Sequence, residues 1–439
     1  MPSSLPPDAA LLPLPEGALL VSPSLATFCP IPAASLPALE RALAGAPLPP
    51  ALQPALTEHG FFGLPRPPEP DPPTVQIQLT NACDLGCAYC CTNSGGARAE
   101  ELRLADLLPL LPRLKPLLGD DARVAVLGGE PLLVPWAPDL CEAVRAQGLP
   151  LTLFSNGLAL GQDDALAQRV AALVQGGMSL RVSLAGATRE SCDALSGAPR
   201  FEGVLAGLAA LHRHGGRATV DLMLVPEQVE EVAEQLPALR RRLPPGTPIA
   251  LGLAFLGGRE RGEHVFPSRA DMEAALDRIA LEAGEAIAAP KRAPVTFRRE
   301  GCGCALGHHL HLRSDGALFS CFKMEEPVGH LRGEGFATAV ACVRGQPHPA
   351  ATLPACRDCP LRTLCGGGCR SENLLLTGDA DVPACGPWRP AVIAALLAER
   401  CVTALHWPAP HLLAEAHRRG IPAPERLALA RPSLHCHPS

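Results

Sequence analysis

The sequence predicts an α/β fold: a partial, open (β/α)6 barrel of the TIM type, with a small α+β element before it and a cysteine-rich domain after it. Three observations carry this. From Thr74 to about Gly284, strand-like segments alternate with helix-period stretches, which implies a parallel sheet with right-handed crossovers. Six such units are too few to close an eightfold barrel. Residues 285–388 are poor in long periodic elements and dense in Cys, Gly and Pro, so they need metal to hold them together.

In chain order, residues 1–68 hold short extended pieces at Ala18–Val21 and Ala26–Cys29, then helical stretches at Ser35–Ala44 and Pro50–His59. The Pro-rich run Pro65–Pro73 reads as a linker. Within residues 69–284 the expected strands are Val75–Leu79, Arg123–Leu127, Leu151–Phe154, Leu180–Leu184, Thr219–Leu224 and Ile249–Phe255. The helices between and after them are expected at Leu104–Leu118, Pro138–Ala146, Asp164–Gln175, Gly203–His214, Glu227–Arg241 and Ala270–Ala283. A helical tail, with stretches at Ala391–Cys401 and His411–Arg419, occupies residues 389–439.

Apolar residues make up 47% of the 439 residues and charged ones 19%, a folded rather than disordered composition. The formal net charge of −6, without a basic stripe, argues against a nucleic-acid partner. No apolar run reaches membrane-spanning length, and Met1 to Glu16 lacks signal-peptide character, so a cytoplasmic location is expected. In a reducing compartment, 18 cysteines point to metal rather than disulfides. Cys29, Cys141, Cys192, Cys342 and Cys401 stand alone and read as small buried hydrophobes. Cys436, between His435 and His437 near the terminus, is given no role.

Directly after the first barrel strand come Cys83, Cys87 and Cys90 at Cys-x3-Cys-x2-Cys spacing. Three thiolates hold a cubane iron–sulfur cluster with one iron left open, as a catalytic site needs. Zinc prefers paired Cys-x2-Cys elements and tetrahedral closure. Cys91 is adjacent to Cys90 and badly placed to reach another corner. Tyr89, the single tyrosine, falls inside the loop, where its ring can pack against a cofactor. The second strand ends in Gly128, Gly129, Glu130 and Pro131, the third in Ser155 and Asn156, and the fourth in Ser183 and Ala185.

This loop, followed one strand later by Gly-Gly-Glu-Pro, resembles the signature of the radical S-adenosylmethionine (SAM) superfamily. The resemblance implies a [4Fe-4S] cluster on Cys83, Cys87 and Cys90, with SAM held near Tyr89, Gly128, Gly129, Glu130, Ser155, Asn156 and Ser183. In such enzymes an electron enters the sulfonium and a 5′-deoxyadenosyl radical takes hydrogen from the substrate, the electron coming from a donor such as flavodoxin or ferredoxin. Relatives usually carry Asp where this chain has Ala185, so the ribose contact or proton role that the resemblance would assign there has no carboxylate to carry it.

The later cysteines are Cys302, Cys304, Cys321 (closing Gly-x4-Cys from Gly316), then Cys356-x2-Cys359-x5-Cys365-x3-Cys369, and Cys385. Their order resembles the SPASM domain, which implies one or two auxiliary clusters. On that resemblance Cys302, Cys304 or both join Cys321 and Cys369 on one cluster, while Cys356, Cys359, Cys365 and Cys385 hold the other. The tight Cys302–Cys304 spacing leaves open whether both bind, and His308, His309 and His311 lie close by in sequence. The auxiliary clusters would relay electrons or, with an open iron, bind substrate.

Residues 1–68, ending in Leu56 to Phe62, resemble an abbreviated PqqD-like peptide-recognition element, the alternative being a cap without a ligand. The expected substrate is therefore a ribosomally made precursor peptide gripped by its leader. Sulfatase maturases carry Asp after the Gly-x4-Cys cysteine, where this chain has Phe322. Small-molecule cofactor synthesis would need no leader-binding element. A non-enzymatic iron–sulfur electron carrier would need neither the open iron nor Gly-Gly-Glu-Pro.

Overall fold

The computed structural model describes residues 5–62, 73–266, 309–345 and 353–383, apart from isolated positions within these ranges, together with residues 275, 278 and 279. The expected helices at 391–401 and 411–419 lie outside the described residues, as do most of 270–283 and nearly all of the Pro-rich linker.

In the first strand of the central sheet, Val75 and Ile77 are apolar and alternate with Gln76 and Gln78, so one strand face can pack under helices. That strand, β4 (Thr74–Gln78), pairs in parallel with β5 (Arg123–Leu127), and the series continues through β6 (Leu151–Ser155), β7 (Ser179–Leu184), β8 (Thr219–Leu224) and β9 (Ile249–Leu253). Each strand lies beside its successor in the chain, so the sheet is the partial barrel expected. Its outer apolar positions share one core with Leu107, Leu111 and Leu114 from the first crossover and Val170, Leu208 and Leu236 from later ones.

Proline edits the helices. The stretch expected at Leu104–Leu118 is two helices, Leu104–Leu107 and Leu111–Leu118. Pro109 between them lacks the N–H that a continuous helix requires, whereas Pro112 is tolerated in the first turn of the second. Two short helices escaped the sequence reading, Leu158–Gln162 and Arg189–Ser196. The second starts where Thr188 accepts the backbone N–H of Ser191.

Beyond the barrel, β10 (His309–Leu312) pairs in parallel with β4 and opens an antiparallel run through β11 (Ala317–Phe319) to β12 (Gly329–His330). The strands of the cysteine-rich region thus extend the barrel sheet past its first strand. Leu310 and Leu312 stand in register with Val75 and Ile77 and enter the same core, which explains the docking on that edge. Helices Gly335–Gly345 and Arg370–Thr377 follow.

The N-terminal unit is a three-stranded antiparallel sheet, β1 (Ala10–Leu14), β2 (Gly17–Ser22) and β3 (Thr27–Pro32), with helices Leu36–Leu43 and Gln53–Glu58. Pro13 hid β1 from the sequence reading; an edge strand accommodates it. Leu20, Ile31, Leu39, Leu56 and Phe61 form an apolar cluster separate from the barrel core. No helix among the described residues is long and apolar enough to cross a membrane.

Candidate active site: the three-cysteine loop

The loop leaves β4 at Leu79, whose N–H still reaches Leu127 O at 2.9 Å. Its neck closes through Cys83 N–H to Gly95 O and Gly95 N–H to Asn81 O, both 2.9 Å. Its middle docks on the helix Arg189–Ser196, where Gly86 N–H reaches Ser196 O (3.1 Å) and Ala88 N–H reaches Leu195 O (3.0 Å). The cysteine positions are therefore set by the loop's own neck and by backbone bonds to two other parts of the barrel, the end of β5 and the helix Arg189–Ser196.

The Gly-Gly-Glu-Pro segment lies against this loop. Gly129 N–H donates to Thr80 O (2.7 Å) and Glu130 N–H to Ala82 O (2.8 Å). A Cβ on Gly128 would stand 2.9 Å from Thr80 O, and one on Gly129 would overlap Ala82 O. From the sequence, these glycines were expected to admit a ligand; in the fold their close neighbour is the backbone of the cysteine loop. Glu130 is fully buried and brackets two strand ends. Its Oε1 accepts Leu132 N–H (2.9 Å) and Ser155 Oγ–H (2.8 Å), and its Oε2 accepts Asn156 N–H (2.6 Å). Burial raises its pKa to about 7, against the lowering effect of those three bonds. Asn156 Nδ2 in turn donates to Asp84 Oδ1 at 2.6 Å, inside the loop. Glu130, Ser155 and Asn156, read from the sequence as cofactor contacts, thus form a connected bracket under the cysteines.

Cys83, Cys87 and Cys90 are free, half-buried thiols. Burial is the largest influence on Cys83 and pushes it up to about 11; Leu85 N–H opposes this, while Asp84, Glu130 and Cys87 add to it. Tyr89 is raised mainly by burial and also by the nearby Cys87. Cys90 Sγ accepts Ser94 N–H at 3.4 Å. Thiolates crowded beside carboxylates are unfavourable unless a cation neutralises them, and iron does so. The chemistry of the donor set therefore fits an iron–sulfur cluster. Among the described residues, no three or more His, Cys, Asp or Glu side chains are gathered in metal-holding geometry. Cys91 is pushed up to about 11, mainly by burial, and lies within electrostatic reach of Lys323 and Cys321.

Two arginines at this site went unnoticed in the sequence. Arg200 is buried and donates to the carbonyl of Ser183. Burial lowers its pKa, but nearby Tyr89, Cys192, Cys87 and Glu130 outweigh this and raise it. Arg259, on the loop after β9, donates from Nη1 to Cys87 O (2.7 Å) and from Nη2 to Ser94 O. Only the Gly257–Gly258 pair before it could have flagged that loop. Ala185 is wholly buried in the barrel core.

In the cysteine-rich region, Cys321 follows β11, Cys356 is buried, Cys359 is half-buried, and Cys369 stands at the N-cap position of the helix Arg370–Thr377. Ser371 Oγ donates to Lys323 O (3.2 Å), joining the Cys369 and Cys321 segments. Cys302, Cys304, Cys365, Cys385 and His308 lie outside the described residues. His309 and His311 are β10 residues opposite Thr74 and Gln76. Burial holds His311 down to about 4, and its ring centroid is 6.3 Å from that of Phe319 and 6.4 Å from that of Phe322. Cys342, read as a lone hydrophobe, is instead disulfide-bonded. A cavity of about 630 Å³ lined by Thr74, Gln76, Arg123, Thr152, Arg181 and Thr219 opens at the strand starts, the opposite end from the cysteine loop.

Residues 77–236 match the family model of the radical SAM superfamily. The chain is similar to the PqqA peptide cyclase of Xanthomonas axonopodis pv. citri, 28% identical over 332 residues, covering 71% of this chain and 86% of the relative. A second Xanthomonas PqqA peptide cyclase, from X. euvesicatoria, is 27% identical over 345 residues with the same coverage. Among solved structures, Streptococcus suis SuiB bound to precursor peptide SuiA covers 86% of this chain and 98% of its own, with TM-score 0.52 and 14% identity. anSMEcpe with bound AdoMet and Cp18Cys peptide covers 79% and 100%, with TM-score 0.53 and 14% identity. These likenesses bear out the fold.

Proposed function

Because the chain carries a radical SAM superfamily domain, from residue 77 to 236, we propose that it is an enzyme that cleaves SAM reductively and modifies a ribosomally made precursor peptide. The observation that carries this is the loop of Cys83, Cys87 and Cys90, held by backbone bonds at the C-terminal end of the first barrel strand, where parallel α/β folds place their ligands. Cys83, Cys87 and Cys90 would hold a [4Fe-4S] cluster, and the segments around Gly128–Gly129, Ser155–Asn156 and Ser183 would face SAM. When bound, these cofactors supply a 5′-deoxyadenosyl radical able to take hydrogen from an amino-acid carbon. The protein's own part is to fix the cysteine loop, to seat a buried positive charge at Arg200 near Cys87, and to exclude water.

The peptide substrate is supported by two features. Similar proteins include the PqqA peptide cyclases and SuiB bound to its precursor peptide. The N-terminal unit (residues 1–68) has its own core, and neither β1 nor β3 pairs on its outer side among the described residues, so an extended leader can add as a strand. In this reading residues 69–284 form the catalytic core. Residues 285–388 hold one or two auxiliary clusters on Cys302, Cys304, Cys321, Cys356, Cys359, Cys365, Cys369 and Cys385, fed by a flavodoxin or ferredoxin in the cytoplasm.

The test is anaerobic reconstitution followed by assay of 5′-deoxyadenosine from SAM under reduction, with and without candidate precursor peptides. Wild type is expected to form 5′-deoxyadenosine and shift the mass of the cognate peptide. Cys83→Ala/Cys87→Ala/Cys90→Ala is expected to lose both while keeping its C-terminal iron. Cluster-loaded wild type that never cleaves SAM, with any peptide, would overturn the enzyme reading in favour of an electron carrier.

A further inference from the structure

The loop after β9 was given no role by the sequence, yet it contacts the cysteine loop from 172 residues away. Arg259 N–H donates to Cys90 O (2.8 Å), its Nη1 to Cys87 O (2.7 Å), and its Nη2 to Ser94 O. One residue therefore holds three carbonyls, two belonging to expected iron ligands and one beyond them. The approach is tight. Gly258 has φ +61°, and a Cβ there would overlap the carbonyls of Cys90 and Cys91. Glu260, next in sequence, is buried and accepts Gly262 N–H (2.6 Å) and His264 N–H (3.1 Å), which shapes the loop that delivers Arg259. Among the described residues, no carboxylate stands within ion-pair distance of Arg259, so its charge is directed at the cysteine loop.

We propose that Arg259 is a positioning residue: it braces the three-cysteine loop into shape before iron enters and places a fixed positive charge beside the cluster. The brace is local, since the guanidinium fork spans the Cys87 and Ser94 carbonyls at once, a geometry that lysine cannot reproduce. The charge acts on redox. A cluster held by three thiolates gains negative charge on reduction, and a nearby cation favours the reduced form. The redox half of the proposal rests on the cluster reading above; the bracing half does not.

The experiment compares wild type with Arg259→Gln and Arg259→Lys in two states of the full chain. In iron-free protein, hydrogen exchange of peptides covering residues 79–101 is expected to quicken about tenfold or more in both variants, the order expected when charge-assisted bonds are lost from a local opening. Exchange of β7 and β8 should stay unchanged. In reconstituted protein poised at fixed potential, the ratio of reduced to oxidised catalytic cluster, read by electron paramagnetic resonance, is expected to fall about tenfold in Arg259→Gln, or ~59 mV for a one-electron couple. Arg259→Lys, which keeps the charge, should recover most of that ratio while its loop remains loose. Unchanged exchange at 79–101, or equal acceleration throughout the barrel, would overturn the brace. Equal reduced fractions in all three proteins would overturn the electrostatic role. If wild type takes up no cluster at Cys83, Cys87 and Cys90, the functional reading fails while the exchange measurement still decides the brace.

Discussion

Glu130 carries the most quantitative consequence of the site. The carboxylate is fully buried, and burial raises its pKa from 4.5 to about 7 despite three donors, Leu132 N–H, Ser155 Oγ–H and Asn156 N–H. For an acid whose affinity for a proton rises on folding, the penalty is absent below the unfolded value and complete above the folded one. Stability attributable to Glu130 should therefore fall as pH rises from 4.5 to about 7. At about 1.4 kcal/mol per tenfold change in proton affinity, the loss is about 3 kcal/mol. Glu130→Gln cannot titrate. Its amide also sets a donor against Asn156 N–H, a cost independent of pH. The assay is urea unfolding of iron-free wild type and Glu130→Gln at several pH values, followed by the fluorescence of Trp136, which packs against the barrel core. Trp388 and Trp407 would be replaced by Phe in both backgrounds so that Trp136 alone reports. The wild type should lose about 3 kcal/mol relative to the variant between pH 4.5 and 7.5. Parallel curves would refute the reasoning, because they would mean that the three hydrogen bonds cancel the desolvation.

Gly129→Ala places a methyl group onto Ala82 O, so the cysteine loop must shift or the strand end must yield. A cost of about 1–3 kcal/mol in unfolding free energy, with poorer iron retention on desalting, is expected; an unchanged midpoint and iron content would mean that the loop adjusts freely. Leu56→Ala empties the centre of the separate N-terminal cluster, at about 2–5 kcal/mol to that unit. It should abolish binding of a leader peptide, measured by calorimetry, while leaving peptide-independent SAM cleavage intact; loss of both together would show that the unit also supports the barrel.

Several features were readable from the chain alone because each is a local property. The succession of strands β4 to β9 was readable because short apolar segments alternate with helix-period stretches, and Cys83, Cys87 and Cys90 announce their chemistry by their spacing. Boundaries moved where proline intervened, as between Leu107 and Leu111, and β1 was missed because Pro13 argued against a strand that an edge tolerates. Chemistry of this kind is written in residue type and near-neighbour order.

What only the tertiary structure decided depends on contacts between distant segments. Gly129 faces Ala82 rather than open space, Glu130 ties Ser155 and Asn156 beneath the cysteines, and Arg200 and Arg259 arrive from far along the chain to flank Cys87. The alignment of β10 with β4, which joins the cysteine-rich region to the barrel sheet, likewise emerges only when Leu310 and Leu312 meet the core beneath Val75 and Ile77. The physical reason is the same in each case. A hydrogen bond or a buried charge is set by which groups share a low-dielectric volume, and sequence separation, 172 residues between Arg259 and Cys87, says nothing about that.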